Sequence, residues 1–138
     1  MKYLSVIALV LITSCKSEFN ADLSLMQGYW EIEQVIKDKQ VVKEYKTNLT
    51  VDFIEISEDS TGLRKKLAPV LDGSFAKTKS TETFKVRMEA GRCYLDYSTP
   101  YADWTEELIE LGDDLMILED EQGAQYWYKP YTKIELDL

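Results

Sequence analysis

The chain has 138 residues, 45% of them apolar, and a formal charge of −9. That is long enough for one domain with its own core and too apolar for disorder. With no basic cluster to offset the acidity, a phosphate backbone would be repelled, which excludes nucleic acid as a partner. There is no histidine, so the usual general base and the commonest metal ligand at neutral pH are missing, and no metal or cofactor is expected.

The first element is an address. Lys2 precedes an apolar run from Tyr3 to Ile12, the length of a signal-peptide core and well short of the roughly 20 residues that cross a bilayer. The run ends in Ile12-Thr13-Ser14-Cys15, which resembles the bacterial lipobox: an aliphatic residue, two small residues and a cysteine. The resemblance implies cleavage before Cys15 and alkylation of its sulfur with diacylglycerol. One acyl chain binds a membrane marginally, whereas two or three palmitate-type chains hold it stably. Residues 1–14 are then the signal peptide, 15–22 the lipidated tether and 23–138 the folded domain. Lys16 stands where an Asp resembles inner-membrane retention, so the outer membrane is favoured, on its periplasmic or surface face. Lys16-Ser17-Glu18 resembles the charged export tag of surface lipoproteins in the Bacteroidetes group. If Cys15 carries lipid, Cys93 has no intrachain partner, and no disulfide staples the domain.

Beyond the tether, turn signals recur about every ten residues, the spacing of a meander of short strands. They fall at Asp38-Lys39, Thr47-Asn48, Glu58 to Gly62, Asp72-Gly73, Ala90-Gly91, Ser98 to Asp103, Gly112-Asp113 and Glu121 to Gly123. Between them, Trp30, Ile32 and Ile36 share one face of the first strand, interrupted by Gln34. Val51 to Ile56 is mixed, as in a strand that is bulged or covered on both faces. Phe84, Val86 and Met88 alternate with charged residues, and Cys93, Leu95 and Tyr97 alternate in the next strand. Period two places one face in a core and the other in water. Trp104 to Leu111 also fits a helix, with apolar positions 104, 108 and 111, but Gly112-Asp113-Asp114 after it favours a hairpin. Eight or nine antiparallel strands joined by hairpins predict an all-β fold, an up-and-down barrel that closes to remove its edges.

Gly28-Tyr29-Trp30, within Leu25 to Ile32, resembles the Gly-x-Trp opening of the lipocalin family. With the lipobox and the meander, the chain is similar to the lipocalin-like lipoproteins of Bacteroidetes. The resemblance implies a helical turn over Ala21 to Met26, closed-end packing by Gly28 and Trp30, and a closing strand Gln125 to Pro130 that pairs with the first. It also implies a cation over Trp30, a place that Lys129 is positioned to take.

A barrel of about eight strands either fills itself or holds one small ligand. The expected lining residues are Phe84, Met88, Leu95, Tyr97, Tyr126 and Tyr128. Aromatic residues concentrate late in the chain, and buried tyrosines need hydrogen-bond partners, which suits an amphipathic ligand. The acidic groups Glu58-Asp59, Asp113-Asp114 and Glu119-Asp120-Glu121 sit at expected turns and read as solvated. No calcium-loop spacing, phosphate loop or nucleophile signature is present. The expected function is a membrane-anchored module for a small apolar or amphipathic molecule. The alternative is a filled barrel acting on another envelope protein. Catalysis is not expected, because it needs convergent polar groups in the pocket and the alternation places mostly apolar residues inward.

Overall fold

The computed structural model describes residues 17–133, with nothing described for the side chains of residues 77–80. The signal peptide, the lipobox and Cys15 lie outside the described residues. Among the described residues there are nine strands. They are β1 (Gly28–Lys37), β2 (Gln40–Glu44), β3 (Val51–Ile56), β4 (Thr61–Pro69), β5 (Phe75–Glu89), β6 (Arg92–Ser98), β7 (Asp103–Leu111), β8 (Met116–Glu119) and β9 (Gln125–Pro130). From β3 onward each strand pairs antiparallel with the next. The sheet closes where β1 pairs with β3 through Gly28–Trp30 and with β9 through Trp30–Ile36. The barrel therefore has eight strands, β1 and β3 to β9. β2 pairs only with the far end of β1 and is a flap beside the open end.

Local chemistry sets the hairpins. Asp38-Lys39 and Ala90-Gly91 each have positive φ at both residues, the mirror-image turn whose twist matches a two-residue hairpin. The segment Trp104 to Leu111 is strand, not helix: it pairs with β6 and β8 and sends Trp104, Glu106 and Leu108 inward. A single 3-10 turn, Leu23–Met26, precedes β1, capped by Asp22, which accepts a hydrogen bond from the Ser24 amide at 2.9 Å. The chain leaves that turn through Gly28 at φ +127°, a conformation that a side chain would strain.

β1 departs from the simple alternation. Its pairing with β9 skips Glu33, a bulge that shifts the register between Ile32 and Gln34. After the bulge Val35 lies opposite Tyr126, on the inward face, and Ile36 lies opposite Gln125 on the other. The expected triplet Trp30, Ile32, Ile36 is therefore corrected to Trp30, Ile32, Val35, because one extra residue inverts every later side chain. β3 is covered on both faces: Val51, Asp52 and Ile54 are all buried. Outside the barrel the Phe75 ring of β5 stacks on Tyr29 at 4.8 Å, and Tyr29 also meets Phe53.

The apolar core occupies the half of the barrel nearest the 3-10 turn, where Met26, Ile54, Phe84, Leu95, Leu108 and Leu118 are buried together. Phe19 and Ala21, within the stretch read as a tether, pack against this core. The Phe19 amide donates to the Gly91 carbonyl at 2.8 Å. Cys93 is fully buried in the same half, and burial pushes its thiol up to about 11. A thiol in that setting packs and does not react.

Gly62 of β4 sits opposite Phe84 of β5, and the Phe84 ring lies over its Cα. A Cβ at Gly62 would clash with that ring and approach the Glu55 carbonyl to 2.7 Å. Gly62→Ala is expected to destabilise the barrel by about 1–3 kcal/mol, read as a lower urea midpoint with an unchanged slope. An unchanged midpoint would show that the ring does not occupy that place.

Candidate functional site

The other half of the barrel is not filled. A cavity of about 760 Å³ opens there, bordered by strands β1, β3, β4, β7 and β9 and by the loops 45–50 and 120–122. Trp30 and Ile32 border it from β1, Asp52 from β3, Arg64 and Lys66 from β4, Trp104 and Glu106 from β7, and Tyr126 and Tyr128 from β9. Trp30 lies between core and cavity, with its indole donating to the Met26 carbonyl at 2.9 Å. The mouth loops are tied down by side chains. Asn48 donates to the Ile32 carbonyl at 3.0 Å. Asp120 accepts from the Tyr126 hydroxyl and from the amides of Gln122 and Ala124, and Glu121 accepts from the Thr105 amide.

A charged network lies at the heart of this half. Register places Asp52 opposite Lys66 and Arg64 opposite Glu82, all on the inward face. Lys66 meets Asp52 at 3.0 Å. The Arg64 guanidinium is nearly buried, contacts Glu82 at 2.7 Å and Glu106 at 3.4 Å, and lies over the Tyr97 ring at 4.7 Å. On Tyr97 stacks Trp104, at 5.1 Å and almost parallel. Burial works against the Arg64 charge, but the Glu106 and Glu82 carboxylates and the face of the Tyr97 ring offset this, and its pKa is raised. It is a fixed cation. Glu106 is also raised: burial pushes its carboxyl up, and Arg64 and the Trp104 side chain pull it only partly back. The Tyr97 hydroxyl, itself buried, has no hydrogen-bond partner among the described residues.

Of the six expected lining residues, Tyr126 and Tyr128 border the cavity. Phe84, Leu95 and Tyr97 are buried in the core beneath it. Met88 is not part of the lining: it is 53% exposed, beside the Ala90-Gly91 turn. Its register, opposite Cys93, is inward, but it is the penultimate residue of β5, at the rim of the barrel far from the cavity. Lys129 does not cover Trp30. It lies opposite Glu31 and pairs with it at 3.5 Å, on the outward face. Glu58, Asp59, Asp113 and Asp114 are exposed, as expected of turns, whereas Asp120 and Glu121 stand at the cavity mouth. The expectation of a mostly apolar interior is corrected by Asp52, Arg64, Lys66, Glu82 and Glu106. For Asp52 with Lys66 and Arg64 with Glu82 the signal is complementary charge at facing positions of adjacent strands, whereas Glu106 lies opposite Leu95 and carries no such signal. No group of three or more acidic or cysteine side chains placed to hold a metal ion lies among the described residues.

No family model matches the chain, and no curated protein matches it. Two solved structures are similar. One is a lipocalin-like protein from Bacteroides uniformis, at 12% identity and a TM-score of 0.46, covering 78% of this chain and 99% of that one. The other is an uncharacterized protein from Bacteroides eggerthii, at 15% identity and 0.45, covering 77% and 99%. The barrel itself is established by the pairing of β1 with β9, and the site by the side chains within it.

The raised Glu106 fixes a pH dependence. A carboxyl whose folded pKa lies above its ordinary 4.5 contributes stability that is complete below 4.5 and is lost as pH rises through the folded value. Asp22, Asp59, Asp72 and Asp96 are shifted the opposite way, by hydrogen bonds from Ser24, Thr61, Ser74 and Arg87 respectively, and so act below their ordinary 3.8. The melting temperature of the protein relative to Glu106→Gln is therefore expected to fall as pH rises from 4.5 towards neutral. A relative rise would mean that the ionised carboxylate is the better-accommodated form.

Proposed function

We propose that the chain is a lipid-anchored binding module of the cell envelope, which takes a small amphipathic molecule into the mouth of its barrel. The observation that carries this reading is the cavity of about 760 Å³, within the range of roughly 300–1,000 Å³ typical of small-molecule sites. Its lining pairs aromatic surface from Trp30, Trp104, Tyr126 and Tyr128 with a few fixed polar groups, the combination that binds one apolar and one polar end.

Binding is favoured over catalysis because the charged groups inside are engaged with one another. Arg64 bridges Glu82 and Glu106, and Lys66 meets Asp52. Cys93, the buried thiol among the described residues, lies in the apolar half, away from these charges. The anchor follows from Ile12-Thr13-Ser14-Cys15, and the outer membrane is the favoured site.

Intact-mass measurement under native conditions tests both parts on protein extracted from its own envelope. The expected result is a covalent diacylglycerol-type mass on a chain beginning at Cys15, together with a non-covalent small-molecule adduct lost on denaturation. A chain without covalent lipid would overturn the anchor. A lipidated chain with no adduct, whose Trp fluorescence also fails to respond to an envelope extract, would overturn the binding module in favour of a protein-interaction role.

A further inference from the structure

We propose that the polar end of the ligand is a cation, an amine or quaternary ammonium, seated against Glu106 and Trp104; this rests on the binding reading above. The argument is one of charge balance inside a wall. The ionisable acids bordering the cavity are Asp52, Glu106, Asp120 and Glu121, against the bases Arg64 and Lys66. Both bases are engaged. Lys66 holds Asp52, and Arg64 directs Nε and Nη2 to Glu82 and only Nη1 to Glu106.

The other three acids are held differently from Glu106, Asp120 and Glu121 at the mouth within reach of water and Asp52 inside. Asp52 has Lys66, Asp120 accepts from two backbone amides and the Tyr126 hydroxyl, and Glu121 accepts from a backbone amide. Glu106 has the longest contact in the network, 3.4 Å, with a guanidinium that is closer to Glu82. It is only 6% exposed and yet borders the cavity. Glu106 is about as buried as Asp52, but besides the Trp104 side chain it has only a share of one guanidinium, whereas Asp52 has Lys66 at 3.0 Å. Of the two buried acids it has the weaker counter-charge, and burial has already raised its pKa. A ligand cation supplies what Arg64 divides between two partners.

The walls beside Glu106 are aromatic, and ring faces attract a desolvated cation. Trp104 borders the cavity next to Glu106, with Trp30, Tyr126 and Tyr128 completing that side. An anion entering the same space meets an excess of negative charge on the walls, on a chain of net charge −9. A carboxylate or phosphate ligand would have to take Arg64 or Lys66 from its present partner.

The test uses three probes of equal tail length, hexyltrimethylammonium, hexanol and hexanoate, titrated by calorimetry. The full chain is held in zwitterionic nanodiscs, with empty nanodiscs as the blank. The expected order is ammonium tightest, by about tenfold over the alcohol, a factor consistent with one charge contact and one ring face, and hexanoate weakest. In Glu106→Gln the preference of ammonium over alcohol collapses, while Glu106→Asp, which keeps the charge, retains it. Hexanoate binding as tightly as the ammonium, or a preference unchanged in a folded Glu106→Gln, overturns the cation and leaves the binding module standing. Failure of all three probes to bind overturns both.

Discussion

A guanidinium held inside a barrel is the constraint around which the rest of this molecule is arranged. Arg64 cannot leave its charge behind, because its pKa is raised, and it cannot reach bulk water, because β4 places it on the inward face. It is tolerable there only with Glu82, Glu106 and the Tyr97 ring around it. Removing one partner from such a buried pair costs about 3–5 kcal/mol. Those partners come from β5, β6 and β7, so one side chain links four strands across the interior. A half-barrel built around a charge does not close into a dry core, and the unfilled volume follows.

The division of the interior into two halves has a plain origin in the strands. Towards the 3-10 turn the inward positions are Ile54, Phe84, Leu95, Leu108 and Leu118, and these bury one another. Towards the mouth the inward positions of β3 and β4 become Asp52, Arg64 and Lys66. Trp30 stands at the boundary, tied to the Met26 carbonyl on one side and bordering the cavity on the other. The stretch from Phe19 to Met26 covers the apolar end, which leaves the mouth as the way into the barrel.

The strand order and the closure were legible because they rest on local signals. Turn residues such as Asp38-Lys39 and Ala90-Gly91 mark hairpins wherever they occur, and hairpins in series have little choice but to form a meander. The face of each residue was less legible. Glu33 sits in a bulge whose effect on Val35 and Ile36 appears only when β1 is laid against β9. In β4, Leu63, Lys65 and Leu67 alternate with Gly62, Arg64 and Lys66, and the rule that apolar residues face inward selects the wrong set. The register against β3 sends the charged set inside, because Lys66 finds Asp52 there and Arg64 finds Glu82 on β5. Pairing across strands decides this, and a single strand read by itself does not contain it. Glu106 was hidden in another way: it lies opposite Leu95, in a segment whose period also fitted a helix.

The account stands on Arg64 being locked in place, and its side-chain Nε–H signal reads that directly. The chain has three arginines, Arg64, Arg87 and Arg92, so the assignment needs only the loss of one signal in Arg64→Lys. The expected result is a sharp Nε–H resonance, slow to exchange with water, with proton–proton contacts to the Tyr97 ring. A broad, rapidly exchanging signal without ring contacts would mean that the guanidinium moves in solvent, and the polar half of the barrel would lose its organising charge.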